Sequence, residues 1–334
     1  VLVQPDKAFK ATFGAAIMFD EKYRPVHTAC INPDKFPQVA LYMQSGTNLV
    51  LYKPADRQIT PKDLQRLNNN QVEHLYINAG SIREVCDFLE ESIADILASD
   101  EISSPVKGQL LSQVAMNYVM DVFEMPDKLS NLDRCRNLVR QLMQYITGNP
   151  NPLEALHTVV SHDFYTFAHS VHVASLSLLV HAEVFSLTAD ELEDVGIGGI
   201  LHDVGMIFVP SAILEKIDIL TNFEYNLIKK HAERGYECLR ELGGFSEISL
   251  AAVRYHHELI NGEGYPFQLA GDEIPRTAQV TAICDVFSAL TSNRPYKKAM
   301  DRSEAITLME GVGKDVFSPR LLEKFKDVIL SEGS

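Results

Sequence analysis

Seven side chains able to bind metals through nitrogen or oxygen recur down the second half of the 334-residue chain: His169, His202, Asp203, His231, His256, His257 and Asp285. Imidazole and carboxylate donors without thiolates suit iron, manganese, zinc or nickel, and such a set can hold more than one ion. Two pairs are adjacent, His202-Asp203 and His256-His257. Neighbouring residues on a helix point about 100° apart, so both members of a pair can face one site only where a helix ends at it. The first pair lies within the apolar stretch GIGGILHDVGMIFVP (196–210). A buried, unpaired carboxylate is costly there, and a bound cation resolves the cost. A lone histidine carries no such implication, and His27, His74, His157, His162, His172 and His181 read as ordinary core or surface residues.

Helices must position these donors, and the sequence after residue 150 is helical in pattern almost throughout. A helix over about 163–185 carries His169. Thr188 with Glu191 and Thr221 with Glu224 are capping boxes. The first opens a helix that ends at His202-Asp203, and the second a helix over 222–242 that carries His231. His256-His257 ends the next helix, and Asp285 lies inside one that starts near Pro275. Five helices therefore deliver the donors. The segment Gly148-Asn149-Pro150-Asn151-Pro152 cannot continue a helix. Upstream, the runs GAAIMF (14–19), TNLVLY (47–52) and HLYI (74–77) read as strands, with a short helix opening at Thr60-Pro61. Ser81 with Glu84 reads as a capping box for a helix to about Ala98, followed by amphipathic stretches near 105–125 and 131–147. The expected fold is α+β overall: a small α+β module over 1–80, a helical connector over 81–150 and an all-α domain over 151–334.

The formal charge of −15 disfavours polymeric nucleic acid and anionic membranes as partners. Five scattered cysteines without a CxxC pair argue against a disulfide framework or a zinc ribbon. No apolar run approaches the roughly 18 residues of a membrane span, and the N-terminal run lacks the apolar stretch of a secretory signal, so a cytoplasmic location is expected. A small phosphorylated ligand needs only local positive charge, and Arg294, Lys297, Lys298 and Arg302 cluster.

The order H…HD…H…HH…D, with HHELINGEGYP (256–266) and DVFSALTSNRPYKKA (285–299), resembles the HD-GYP family of phosphohydrolases over roughly residues 153–334. The resemblance implies an HD-type helical domain and hydrolysis of a cyclic dinucleotide, cyclic di-GMP first, to linear pGpG by metal-activated hydroxide. It implies metal ligands at the seven residues named above, with Asp203 bridging and the His202-Asp203 pair at the centre of catalysis. Substrate contacts fall on Arg294 and Lys297 for phosphate and on the loop residues Gly262, Gly264, Tyr265 and Pro266. Tyr165 stands where relatives with three metals carry glutamate, so two divalent ions, iron or manganese, are expected. The connector offers a surface for homodimerisation, and the N-terminal module a place for a regulatory signal or a protein partner.

The chain departs from the family pattern at three places. Met206 replaces a lysine that contacts phosphate, Asn261 an aspartate, and Ser288 an acidic residue. Losing one charge-assisted contact costs on the order of 1.5–3 kcal/mol, which slows or retunes an enzyme rather than necessarily abolishing it, and rescue of activity by lysine at 206 would show that the missing cation is limiting. The competing expectation is a scaffold that binds cyclic dinucleotide, keeps its metals and turns over weakly or not at all.

Overall fold

A computed structural model describes residues 23–46, 48–125, 129, 131–149, 152, 165–214, 216, 218–292, 298–312 and 315–331. The expected strand GAAIMF (14–19) lies outside them. The chain divides into two compact units, Phe19–Val114 and Ala115–Ser334.

In the first unit, β1 (Tyr23–His27), β2 (Leu41–Ser45), β3 (Asn48–Lys53) and β4 (His74–Asn78) form an antiparallel sheet in the order β1-β4-β2-β3. β1 pairs with β4 from Tyr23↔Asn78 to His27↔His74. Proline interrupts the strand pattern at Pro25, which is why β1 escapes recognition in the sequence. An edge strand tolerates it because one side needs no ladder partner. Leu75 and Ile77 alternate inward along β4. Helix α1 (Pro61–Asn69) opens in a capping box between Thr60 and Asp63. Helix α2 (Ile82–Ala98) buries Val85, Phe88, Leu89, Ile93 and Ile96, a stripe at helical spacing. The Ser81 cap expected from sequence does not form: Ser81 ends a 3-10 turn, Ala79–Ser81, and makes no side-chain cap hydrogen bond.

Helix α3 (Ser104–Glu124) contains the division between the units. The second unit continues with α4 (Leu132–Gly148), α5 (Tyr165–Val184), α6 (Ala189–Leu201), a 3-10 turn (Val204–Phe208), α7 (Ser211–Leu214) and α8 (Asn222–Lys229). It closes with α9 (His231–Leu242), α10 (Glu247–Tyr255), α11 (Arg276–Thr291), α12 (Arg302–Val312) and α13 (Pro319–Ser331). Every residue from Phe167 to His181 is buried, so α5 is a central helix, and α4, α6, α11 and α13 pack on it. The expected connector over 81–150 is therefore divided. Its last helix, α4, packs on α5 and α6, and Arg140 Nε lies 2.5 Å from the buried Glu193 of α6.

Capping boxes form at Thr188 and Thr221 as expected. The single helix expected over 222–242 is instead two, because the Lys230 amide donates to Leu227 O, closing α8, and α9 restarts at His231. The apolar periodicity runs through this break, so it leaves no mark in the sequence. Burial pushes the thiols of Cys30, Cys135 and Cys284 up to about 12, which leaves them inert as small core residues. Among the described residues no helix is long and apolar enough to cross a membrane.

Candidate metal centre

His202 caps the C-terminus of α6 and Asp203 follows it; His256 likewise caps α10, with His257 next. Both adjacent pairs thus sit where a helix ends, the only place from which two neighbours can reach one site. His231 begins α9, His169 lies in α5 and Asp285 in α11. All seven are buried.

Asp203 lies at the junction. Its Oδ2 is 3.3 Å from His202 Nε2, and its Oδ1 is 3.2 Å from His231 Nε2 and 3.6 Å from His256 Nε2. Donor atoms of Asp203, His231, His256 and His257 lie within 4.8 Å of one another, and so do those of His169, His202 and Asp203. Asp285 joins the second group through Oδ1, 3.0 Å from His169 Nε2. One carboxylate is therefore common to two donor groups.

The backbone decides which imidazole nitrogens face the centre. His202 Nδ1 is 2.8 Å from Gly199 O, His231 Nδ1 2.8 Å from Ile228 O, and His256 Nδ1 3.0 Å from Ala252 O and Val253 O. A carbonyl oxygen can only accept, so each Nδ1 must carry the proton, and in the neutral ring each Nε2 presents a lone pair. Lone pairs of His231 and His256 then face each other at 3.2 Å and both face a carboxylate oxygen. Such a cluster repels itself unless a proton or a cation lies within it. Nitrogen and oxygen donors fixed by outer hydrogen bonds fit divalent iron, manganese or zinc.

Without metal, a proton takes that role. Burial opposes charge on His202, yet the Asp203 and Asp285 carboxylates outweigh it and raise this imidazole to about 9. Burial also opposes ionisation of Asp203, but His202, His231 and His256 hold its carboxyl well below the usual range. Burial and neighbouring imidazoles push His257 well below its ordinary value. The folded pKa of His202 exceeds its ordinary value of 6.5, so its stabilisation is complete below that value and is lost as pH rises through about 9. Metal-free protein should accordingly melt at lower temperature as pH rises from about 7 to 9, whereas saturating divalent metal, which binds better as protons leave, should reverse the slope. Thermal melts with chelator and with Mn(II) across that range check it.

The residues that depart from the expected pattern have defined surroundings. Met206 is 2% exposed and packs with Val209, Ile213, Leu220 and Ile228, with Phe123 alongside. It faces an apolar cluster rather than the donors. Met206→Lys should instead lower the denaturation midpoint, by several kcal/mol in free energy, because an ammonium would be buried among apolar side chains. Ser288, one helical turn after Asp285, puts its hydroxyl 2.9 Å from His169 Nδ1 and 3.0 Å from His172 Nδ1. It holds the His169 ring from behind, a role visible in the sequence only as the i, i+3 spacing from Asp285. Asn261 forms a local turn, its Oδ1 accepting from the Glu263 amide at 3.0 Å.

The loop after His257 is tied to the donors. The Tyr265 amide donates to His257 O at 3.1 Å, and the phenol ring stacks on the His257 imidazole at 4.6 Å with an interplanar angle of 26°. The Tyr265–Pro266 peptide is cis, and Gly262 has φ +77°. Gly264 is packed against its own chain: a Cβ there would lie 2.5 Å from Glu258 Cα and 2.6 Å from His257 O. Its missing side chain thus admits the loop against residues 257–259, where the sequence suggested approach to a ligand. Glu258, which sequence reasoning passed over, is buried and accepts from the Phe267 and Leu269 amides at 2.6 and 3.0 Å. Its signal was an acidic residue directly after His-His in an apolar setting. Arg294, Lys297 and the side chain of Tyr165 lie outside the described residues.

Residues 160–321 match the family model described as HD domain. The chain is 32% identical over 260 residues to cyclic di-GMP phosphodiesterase PA4108 of Pseudomonas aeruginosa, covering 74% of this chain and 63% of that protein. It is 36% identical over 153 residues to cyclic di-GMP phosphodiesterase response regulator RpfG of Xanthomonas campestris pv. campestris, covering 46% and 39%. It is 34% identical over 166 residues to 3'3'-cGAMP-specific phosphodiesterase 1 of Vibrio cholerae, covering 50% and 37%. The chain spans less than two thirds of the length of each of these relatives. Among solved structures, Bd1817, an HDG"Y"P protein from Bdellovibrio bacteriovorus, superposes with a TM-score of 0.66 at 18% identity over 92% of this chain and 99% of that one, a likeness of fold.

Proposed function

We propose, from the match of residues 160–321 to the HD domain family model, that this protein is a metal-dependent phosphodiesterase that opens a cyclic dinucleotide, cyclic di-GMP first, to linear pGpG. The sharing of Asp203 between two buried donor groups carries this reading. Two divalent ions, iron or manganese, would supply an activated water at neutral pH and neutralise charge on the attacked phosphate. His169, His202 and Asp285 hold one side of the centre, and His231, His256 and His257 the other. Asp203 joins them. The carbonyls of Gly199, Ile228, Ala252 and Val253 keep the protons on Nδ1 and the lone pairs turned inward. Burial excludes bulk water from the donors, which strengthens each electrostatic contact made there. Arg294 and Lys297 are assigned to the phosphates and Tyr265 to the rim of the substrate site. The unit Phe19–Val114 is assigned a regulatory role, through a signal, a protein partner or a second copy.

A second reading, binding without turnover, is favoured by Met206, which brings no charge to the centre. One experiment separates the two: metal-loaded protein is incubated with cyclic di-GMP and with cyclic GMP-AMP, and the products are separated by chromatography beside a chelated control. Metal-dependent pGpG supports the enzyme. Tight binding with no linear product supports the scaffold, and neither binding nor cleavage overturns both.

A further inference from the structure

We propose that Lys229 supplies phosphate-directed positive charge beside the donor group of His231, His256 and His257, contacting the phosphodiester from the rim formed by Tyr225 and Tyr265. This assignment rests on the reading of the protein as a cyclic dinucleotide phosphodiesterase. Lys229 ends α8 and directly follows Ile228, which packs with Met206 in the apolar cluster. The helix that buries the uncharged residue therefore presents a cation one position later. Its Nζ lies 4.7 Å from the centre of the Tyr225 ring and 5.2 Å from that of Tyr265. Tyr265 in turn stacks on the candidate ligand His257. The ammonium is thus one ring away from the donor group of His231, His256 and His257.

Its remaining bonding capacity points to an anion. Aromatic faces hold an ammonium in place without neutralising it, and its three N–H donors stay available. Among the described residues no ion pair engages Lys229, whereas Lys216 is held by Glu224 at 2.7 Å. Two other cations of this unit are engaged elsewhere: Arg234 donates to Phe208 O at 3.2 Å, and Arg254 lies over the rings of Tyr236 and Phe267 at 3.9 and 4.5 Å. In a chain of net charge −15, a cation set beside a buried donor group offers the local attraction that an anionic substrate needs.

The test compares K229M and K229R with the unaltered, metal-loaded full chain, reading KM and kcat for cyclic di-GMP, inhibition by pGpG, bound metal and melting temperature. K229M is expected to raise KM and the pGpG inhibition constant about tenfold or more, the scale of one charge-assisted contact to phosphate, and to weaken their dependence on salt, with bound metal unchanged. K229R should stay within roughly threefold because it keeps the charge. Unaltered KM and inhibition constants in K229M would overturn the assignment. So would loss of bound metal in both variants, which would mark a purely structural role. If the unaltered protein cleaves no cyclic dinucleotide, the function reading fails separately, and binding of pGpG alone then decides whether Lys229 meets phosphate.

Discussion

Replacing Asp203 by asparagine is expected to abolish divalent metal binding and turnover together, with a loss of at least about a thousandfold in kcat, the scale on which removal of a central catalytic group acts. The expectation follows from position. Asp203 Oδ1 serves His231 and His256 while Oδ2 serves His202, so one substitution removes the charge common to both donor groups. An amide is the same size and leaves the local backbone unaltered. His202 then loses the stronger of the two carboxylate influences that raise it, and only Asp285 still opposes the neutral form that burial favours. Asp203→Asn should therefore stay folded by circular dichroism while elemental analysis finds it depleted of metal. A variant that keeps full metal content and activity would show that Asp203 is not the bridge.

Gly205→Ala is expected to destabilise the second unit by about 3 kcal/mol, the upper end of the usual cost of overpacking. A Cβ at this position would run into His231 O and lie 2.7 Å from Gly235 N. Both are backbone atoms of α9, so no side chain can swing aside to make room. The 3-10 turn that follows Asp203 is thereby pressed against the helix that begins with His231. Moving them apart also separates a carboxylate from an imidazole now 3.2 Å away. The melting temperature should fall by roughly 5–12 °C, and metal affinity should fall with it. Melting and metal titration of the same preparation check both effects.

The sequence made some of these elements legible and hid others for physical reasons. Thr188 and Thr221 announce their helices because a hydroxyl with an acid three residues on is a complete local device, and both capping boxes form. The ends of α6 and α10 could be read because a doublet of donors is useful only at a helix end. Lys230 could not, since the turn that splits α8 from α9 is made by backbone hydrogen bonds. Met206 looked like a deficiency in the site because its motif position is three residues after Asp203 in sequence. The 3-10 turn turns it into the cluster with Ile228. Ser288 and Glu258 work through contacts with His169 and with the 267–269 amides, which lie far from them in the chain or across a loop. Tertiary positioning of this kind leaves no period or cap to find. Pro25 hid β1 because its tolerance depends on β1 being an edge strand.

The most direct test of a shared two-metal centre is to titrate metal-free protein with Mn(II) while cyclic di-GMP turnover is followed by chromatography. Two donor groups joined by Asp203 predict that linear pGpG accumulates and that the rate saturates at two equivalents of metal per chain. The absence of any linear product at every metal concentration, or saturation at a single equivalent, would contradict it.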